Sequence, residues 1–189
     1  MPSPHAALKQ TLVARLARVL AAISLVLSAL ANPTPPASAQ PCPTLQVIAP
    51  WAANGIIDGR YSGDGKDLSP ALRWTNTPNA ARAIAITCVD PDAPGGAFAH
   101  WLVYNLPPRV QRLAENTPKT ATWGNGARQG TNDFGNLGWN GPNPPRGALH
   151  HYVITVYALD RPIDLAPGAR LPELLARLEG HVLARGRTT

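Results

Sequence analysis

The chain has 189 residues, of which 44% are hydrophobic, and a formal net charge of +6. Its lysines and arginines form no dense stripe with interleaved aromatic residues, which excludes the usual pattern of a nucleic-acid-binding protein. Its two cysteines form neither a CxxC pair nor a Cys/His zinc spacing, which excludes the common redox and zinc motifs.

The first 39 residues differ from the rest of the chain. They contain three basic residues and no acidic one, followed by the apolar run "VLAAISLVLSALA" and the small residues "ASA" at 37–39. The apolar run has 13 residues, against roughly 20 needed to span a bilayer. This pattern is typical of a secretory signal peptide. We therefore predict cleavage after Ala39, a periplasmic or secreted single domain at 40–189, and no stable membrane insertion. Its net charge would be +3, from 14 basic and 11 acidic residues.

The mature sequence is rich in β-branched residues and in turn-forming Pro and Gly. Apolar runs such as "AIAITCVD" have few polar positions on either alternation, which favours strands buried on both faces. Leucines and a valine at spacings of three and four around "LPELLARL" predict one helix. The predicted strands are 45–50, 71–76, 83–90, 100–107 and 151–160, and the predicted helix is 171–186. Together they predict an antiparallel, mostly β domain with a C-terminal helix.

The mature chain contains two cysteines, Cys42 and Cys88. An oxidising compartment would allow them to pair and to fasten the N-terminal segment. Because Cys88 lies inside an apolar run, a buried free thiol is the alternative. The sequence favours neither.

Two aspartates follow the strand predicted at 83–90, in the stretch "DPDAPGG". The proline between them biases Asp90 towards an extended backbone, and a period of two would then place the side chains of Asp90 and Asp92 on one face. His100 begins the next predicted strand, and Leu102 and Tyr104 are expected on the same face of that strand as His100. If the two strands pair, an imidazole and two carboxylates meet at one end of a sheet. Aspartates beside prolines also cap turns, so capping is the alternative role for each.

A second polar cluster lies in "GPNPPRGALHHY" at 141–152. Prolines stiffen the loop around Pro144, while His150 and Tyr152 share one face of the following strand and His151 points the other way. Tyr152 can donate a hydrogen bond, and His150 can donate or accept one. Rigid loops that carry such groups to strand ends are typical of binding sites. The predicted ligand-binding residues are Asp90, Asp92, His100, Pro144, His150 and Tyr152.

Several motifs resemble the phosphatidylethanolamine-binding protein family, in its bacterial Raf-kinase-inhibitor-like branch. They are "DPDAP", "HWLVYNLP" and "GPNPPRGALHHYVITVYALD". "YSGDGKDLSPALRW" is similar to the N-terminal signature of that branch, and "LPELLARLEGHVLA" to its tail helix. The resemblance extends over about residues 45 to 184.

This resemblance implies an antiparallel β-sandwich with one large and one small sheet and a short C-terminal helix. It also implies a pocket near the sheet end for phosphate, phosphoethanolamine-like headgroups or other small anions. We expect no cofactor and no metal. Asp90, Asp92 and His100 match the family's pocket residues on the first two strands, and Pro144, His150 and Tyr152 match those of the second loop. The sequence ends at "ARGRTT", short of the segment from which eukaryotic relatives supply a closing tyrosine, so we expect a more open pocket.

A pocket with two aspartates can hold an anion if one of them is protonated. Two neighbouring carboxylates do not both ionise easily, so we expect one of their pKa values to be raised. The protonated aspartate, a histidinium and the Tyr152 hydroxyl would donate to phosphate oxygens, and the other aspartate would accept from an ammonium group. We therefore expect a small anionic or zwitterionic ligand, bound more weakly as pH rises.

Two other functions are compatible with these residues. Eukaryotic members of the family are associated with binding kinases and inhibiting proteases, so an inhibitor or interaction module acting on an envelope protease is the first alternative. A metal- or carboxylate-dependent hydrolase is the second, because two histidines and two carboxylates are zinc ligands. The sequence shows no serine or cysteine nucleophile motif, which argues against catalysis.

Overall fold

Two antiparallel sheets and one helix build the domain in the computed structural model, which describes residues 43–51 and 55–189. The elements, in chain order, are β1 (Gln46–Ile48), a 3-10 turn (Gly59–Tyr61), β2 (Leu72–Thr75), β3 (Ala83–Asp90), β4 (Phe98–Leu106), β5 (Arg112–Leu113), β6 (Arg128–Gln129), β7 (Val153–Leu159), α1 (Leu171–Leu178) and β8 (Val182–Thr188). The predicted signal peptide at 1–39 lies outside the described residues. Within them, no helix has the length and apolar character needed to cross a membrane.

The large sheet lies in the middle of the domain and has both faces covered. Its strand order is β6-β4-β3-β7-β8, and the small sheet has the order β1-β2-β5. On the central strand β3, Ile84 and Ile86 pack in one core with Trp74 of the small sheet. The intervening Ala83 packs in a second core with Leu174 of α1. This double coverage explains why the strand is apolar on both alternations.

The predicted helix is too long, because only its first half is helical. The helix ends at Leu178, and the chain reverses through Gly180, which has a φ of 76° that favours glycine. The following residues form β8, which pairs antiparallel with β7. A Cβ on Gly186 would lie 2.1 Å from the carbonyl oxygen of Leu45, so glycine is needed for this strand to pack there. The predicted helix extended too far because Val182 fits the apolar spacing of the helix, although it is the first residue of β8.

Of the two alternatives for Cys88, the structure has the buried free thiol. The side chain is inaccessible to solvent, and burial raises the pKa of its thiol. Cys42, the other residue of the expected pair, lies outside the described residues.

A β-bulge in β4 turns His100 away from its predicted side. Cys88 faces Trp101 across the strand pair while Val89 faces Ala99, so His100 is the additional residue of β4. Such a bulge re-aims the side chain it contains. The His100 ring packs edge-on against Tyr152, with 5.1 Å between ring centroids, and Tyr152 belongs to the core between the two sheets. The strict alternation expected from the sequence was therefore wrong at this residue.

The predicted meeting of strand ends is confirmed. Asp90, the last residue of β3, faces Phe98 at the start of β4. Its neighbour Val89 faces Val153 at the start of β7. The loops after β3 and before β7 therefore reach the same end of the large sheet.

Candidate functional site

The buried centre of the site is the Asp90 carboxylate, which accepts two hydrogen bonds. Its Oδ1 accepts from the backbone N–H of Asp92 at 2.8 Å. Its Oδ2 accepts from Nδ1 of His150 at 2.7 Å. Asp90 therefore caps the turn and also orients a histidine, so the two roles considered from the sequence occur together. Nε2 is the remaining polar atom of the His150 ring, and it makes no hydrogen bond within the described part of the chain.

Asp92 lies outside the strand and is exposed. Its Oδ2 accepts from both the backbone N–H and Nδ1 of His151, each at 2.7 Å. These hydrogen bonds, with the nearby charge of the imidazole, hold the pKa of the Asp92 carboxyl below its usual value. The raised pKa expected for one of two neighbouring carboxylates is therefore not found at Asp92.

Tyr152 and His100 form the aromatic floor of the site. Burial, and then the charge of Asp90, raise the pKa of Tyr152 to about 12, so its hydroxyl keeps its proton. That hydroxyl has no hydrogen-bond partner among the described residues. Nδ1 of His100 donates to the carbonyl oxygen of Asn140 at 2.7 Å, and burial lowers the pKa of His100. His100 is therefore neutral at neutral pH, and its ring supports that of Tyr152.

A cavity of about 490 Å³ opens above this floor. It is lined by residues 55–57 and 142–152, together with Ser62, Asp64 and Thr189. Three of the predicted residues line it, namely Pro144, His150 and Tyr152. The other three, Asp90, Asp92 and His100, do not line it and instead contact residues that do.

Sequence reasoning missed two charged residues in the cavity wall, Arg146 and Asp64. Arg146 is exposed and makes no ion pair within the described residues, while Oδ1 of Asp64 accepts from the Ser62 hydroxyl at 2.6 Å. Arg146 could have been found from its place in the same Pro-rich loop as Pro144. Asp64 had no comparable signal, because it lies in a distant turn that only the fold brings to the cavity.

The Pro-rich loop is held in place by the segment that contains Asp64. The N–H of Gly63 donates to the carbonyl oxygen of Pro142 at 2.7 Å. The N–H of Gly141 donates to Oδ1 of Asp67 at 2.6 Å. A Cβ on Gly141 would lie 2.0 Å from the carbonyl oxygen of Tyr61, so only glycine permits this close approach. The cavity wall is therefore fixed by backbone contacts between two distant parts of the sequence.

Residues 43–51 and 55–189 contain no group of three or more His, Cys, Asp or Glu side chains arranged to hold a metal ion. A zinc site needs three or four such ligands. The zinc-dependent hydrolase considered from the sequence has no ligand set in this part of the chain.

Comparison with known proteins identifies relatives over most of the chain. Residues 48–189 match the model of the family described as phosphatidylethanolamine-binding protein. A UPF0098 protein of Methanothermobacter thermautotrophicus is 44% identical over 133 residues, which cover 70% of this chain and 87% of the relative.

Two solved structures share the fold. One is the phosphatidylethanolamine-binding protein homologue CT736 from Chlamydia trachomatis, with a TM-score of 0.69 and 32% identity over 77% of this chain and 94% of that one. The other is Escherichia coli YbcL, described as a new member of the mammalian PEBP family, with a TM-score of 0.71 and 30% identity over 76% and 94% of the two chains.

Proposed function

Since the chain belongs to the phosphatidylethanolamine-binding protein family, we propose that it is an exported protein whose cavity binds phosphate-bearing anions or phospholipid headgroups. The observation that carries this proposal is a set of three hydrogen-bonding side chains in the cavity wall. Arg146, His150 and Tyr152 all line it, and none has a polar partner on the cavity side within the described residues.

Each of these side chains can form a hydrogen bond with an anion. Tyr152 remains a hydroxyl donor across the physiological range because its pKa is raised to about 12. Asp90 accepts from Nδ1 of His150 and leaves Nε2 for a ligand. Nε2 donates to a phosphate oxygen when the ring is an imidazolium, and it accepts from a protonated phosphate oxygen when the ring is neutral. Arg146 presents a planar fork of N–H groups that matches phosphate oxygens.

The acidic partner for an ammonium group is Asp64. Asp90 uses both oxygens for Asp92 and His150, and Oδ2 of Asp92 is occupied by His151. Asp64 lines the cavity directly, so it can accept from the amine of a zwitterionic headgroup while the donors hold the phosphate. This arrangement favours phosphoethanolamine over inorganic phosphate.

Isothermal titration with phosphoethanolamine tests the proposal. Tyr152→Phe removes one donor and keeps the ring, and we expect its affinity to fall about tenfold. Tyr157→Phe, on the strand β7 that follows Tyr152 but outside the cavity, is the matched control and should bind like wild type. Asp64→Asn should remove the preference for phosphoethanolamine over phosphate. Absence of saturable binding, or equal affinity in the Tyr152 and Tyr157 variants, would contradict the assignment.

Export is tested separately from binding. If residues 1–39 direct secretion, the protein recovered from the periplasm or medium should begin at Gln40 by N-terminal sequencing. Recovery in the cytoplasm with an intact N-terminus would contradict export and would leave the ligand proposal unaffected.

A further inference from the structure

The outer face of the small sheet carries two arginines directly opposite each other. Arg73 on β2 faces Arg112 on β5 in the antiparallel register, and Ile48 of β1 completes the same row. The neighbours Leu72 and Leu113 are buried in the core, so alternation directs both arginines outward. A third arginine, Arg109, lines the same groove. We call Arg73, Arg109 and Arg112 the arginine groove.

The charge of this groove is not balanced by any neighbour in the described part of the chain. None of its three guanidinium groups makes an ion pair or hydrogen bond there, and no carboxylate lines the grooves on either side of the Arg73–Arg112 pair. By contrast, Arg60 and Arg170 pair with carboxylates. Like charges directly opposite each other in a sheet are destabilising. A bound anion between them would remove that cost.

Other arginines of the described residues lack this arrangement. Arg185 and Arg187 on β8 are also exposed, but they face Tyr157 and Thr155 across the strand pair. Arg73 with Arg112 is the one place in the described strand pairs where two arginines face each other. The groove is therefore distinguished by its geometry and not by net charge alone.

We propose that the arginine groove is a second binding site, for a multiply charged oxyanion that carries two or more phosphate or sulfate groups. Each guanidinium group can form paired hydrogen bonds with such a group. The groove has a volume of about 630 Å³ and is lined by three arginines, so it has room for more than one phosphate or sulfate group. Nucleic acid fits less well, because base stacking needs exposed aromatic rings and Trp74, the aromatic residue at this groove, is fully buried. The groove shares no residue with the cavity described above.

Titration of the protein with inorganic tripolyphosphate, followed by ¹H–¹⁵N NMR, tests this site residue by residue. At about 0.01 M ionic strength, where charges act over about 30 Å, we expect saturable shifts in residues 72–75 and 109–113. The double variant R73Q/R112Q should lower the affinity there about tenfold or more. Binding in the cavity would appear separately, as shifts in residues 144–152.

The double variant R185Q/R187Q is the matched control, because it removes the same charge without touching a facing arginine pair. It should change the affinity at the groove by less than about twofold. Absence of shifts in residues 72–75 and 109–113 would overturn the proposal, as would an equal loss in both double variants. Monophosphate that binds as tightly as tripolyphosphate would overturn the multiply charged ligand class.

Discussion

Two aspartate–histidine pairs lie side by side at the end of the large sheet and differ mainly in burial. Both have an Nδ1 to Oδ2 distance of 2.7 Å. The Asp90 and His150 side chains are 5% and 9% exposed, whereas those of Asp92 and His151 are 39% and 56% exposed. The two aspartates are only two residues apart and the two histidines are adjacent in the sequence, yet one pair is buried and the other is exposed to solvent.

Burial decides what each pair does. In the buried pair, removal of one partner leaves a polar group without water, and the cost is large. In the exposed pair, water replaces a lost partner and the contribution is small. The buried pair can therefore hold the His150 ring for a ligand, while the exposed pair fastens two loops to each other. A motif of alternating aspartates therefore indicates the chemistry of both side chains but not which of them is buried.

The largest effect should follow from Asp90→Ala. This change leaves the buried His150 ring and the Asp92 N–H without their acceptor. At about 1–3 kcal/mol for each unsatisfied group, we expect a loss of about 2–5 kcal/mol in the free energy of unfolding. Urea denaturation measures it. Asp92→Ala serves as the control, and equal destabilisation of the two variants would contradict the greater contribution of the buried pair.

Replacement of each histidine by asparagine separates ligand binding from stability. Asparagine can place its amide nitrogen near the position of Nδ1 and keep the bond to aspartate, but it lacks Nε2. His150→Asn should therefore weaken phosphoethanolamine binding about tenfold, measured by calorimetry. His151→Asn should bind within about twofold of wild type. A larger loss in the His151 variant would show that the exposed pair is the one that meets the ligand.

A third histidine, His100, forms its hydrogen bond with a carbonyl oxygen and with no carboxylate of the described residues, and it should make the fold sensitive to mild acid. Burial lowers the pKa of His100 below the value of about 6.5 expected in the unfolded chain. The unfolded state therefore binds a proton before the folded state does, so stability falls as pH decreases below about 6.5. The slope is at most about 1.4 kcal/mol per pH unit for one proton. Unfolding experiments between pH 7.5 and 5 measure it, and His100→Gln should flatten the curve. If the pH dependence of the free energy of unfolding is unchanged in His100→Gln, other titratable groups cause it.

The sequence predicted the parts of this site that depend on strand periodicity and turn chemistry. The bounds predicted for β3 were correct, and the polar residues at the ends of three strands were expected to meet. These features are determined locally, by proline, glycine and β-branched residues. It could not predict the bulge that turns His100 under Tyr152, since a bulge depends on the pairing partner. It could not place Asp64 at the cavity either, because that contact depends on backbone packing around Gly141. Nor could it tell the buried aspartate from the exposed one.

The smallest effect should follow from Asp92→Asn, and it should appear only in acid. Hydrogen bonds from His151 hold the pKa of Asp92 below the value of about 3.9 expected in the unfolded chain. The pair therefore stabilises the fold above that pH and loses its contribution as pH falls through the folded pKa.

At pH 7 the variant should melt within about 2 °C of wild type, because the pair is exposed. Between pH 4 and 2 its melting temperature should decline less steeply than that of wild type, whereas Asp164→Asn, an exposed carboxylate without a hydrogen-bond partner in the described residues, should decline like wild type. A large loss at neutral pH in the Asp92 variant would mean that the exposed pair is as important to the fold as the buried one.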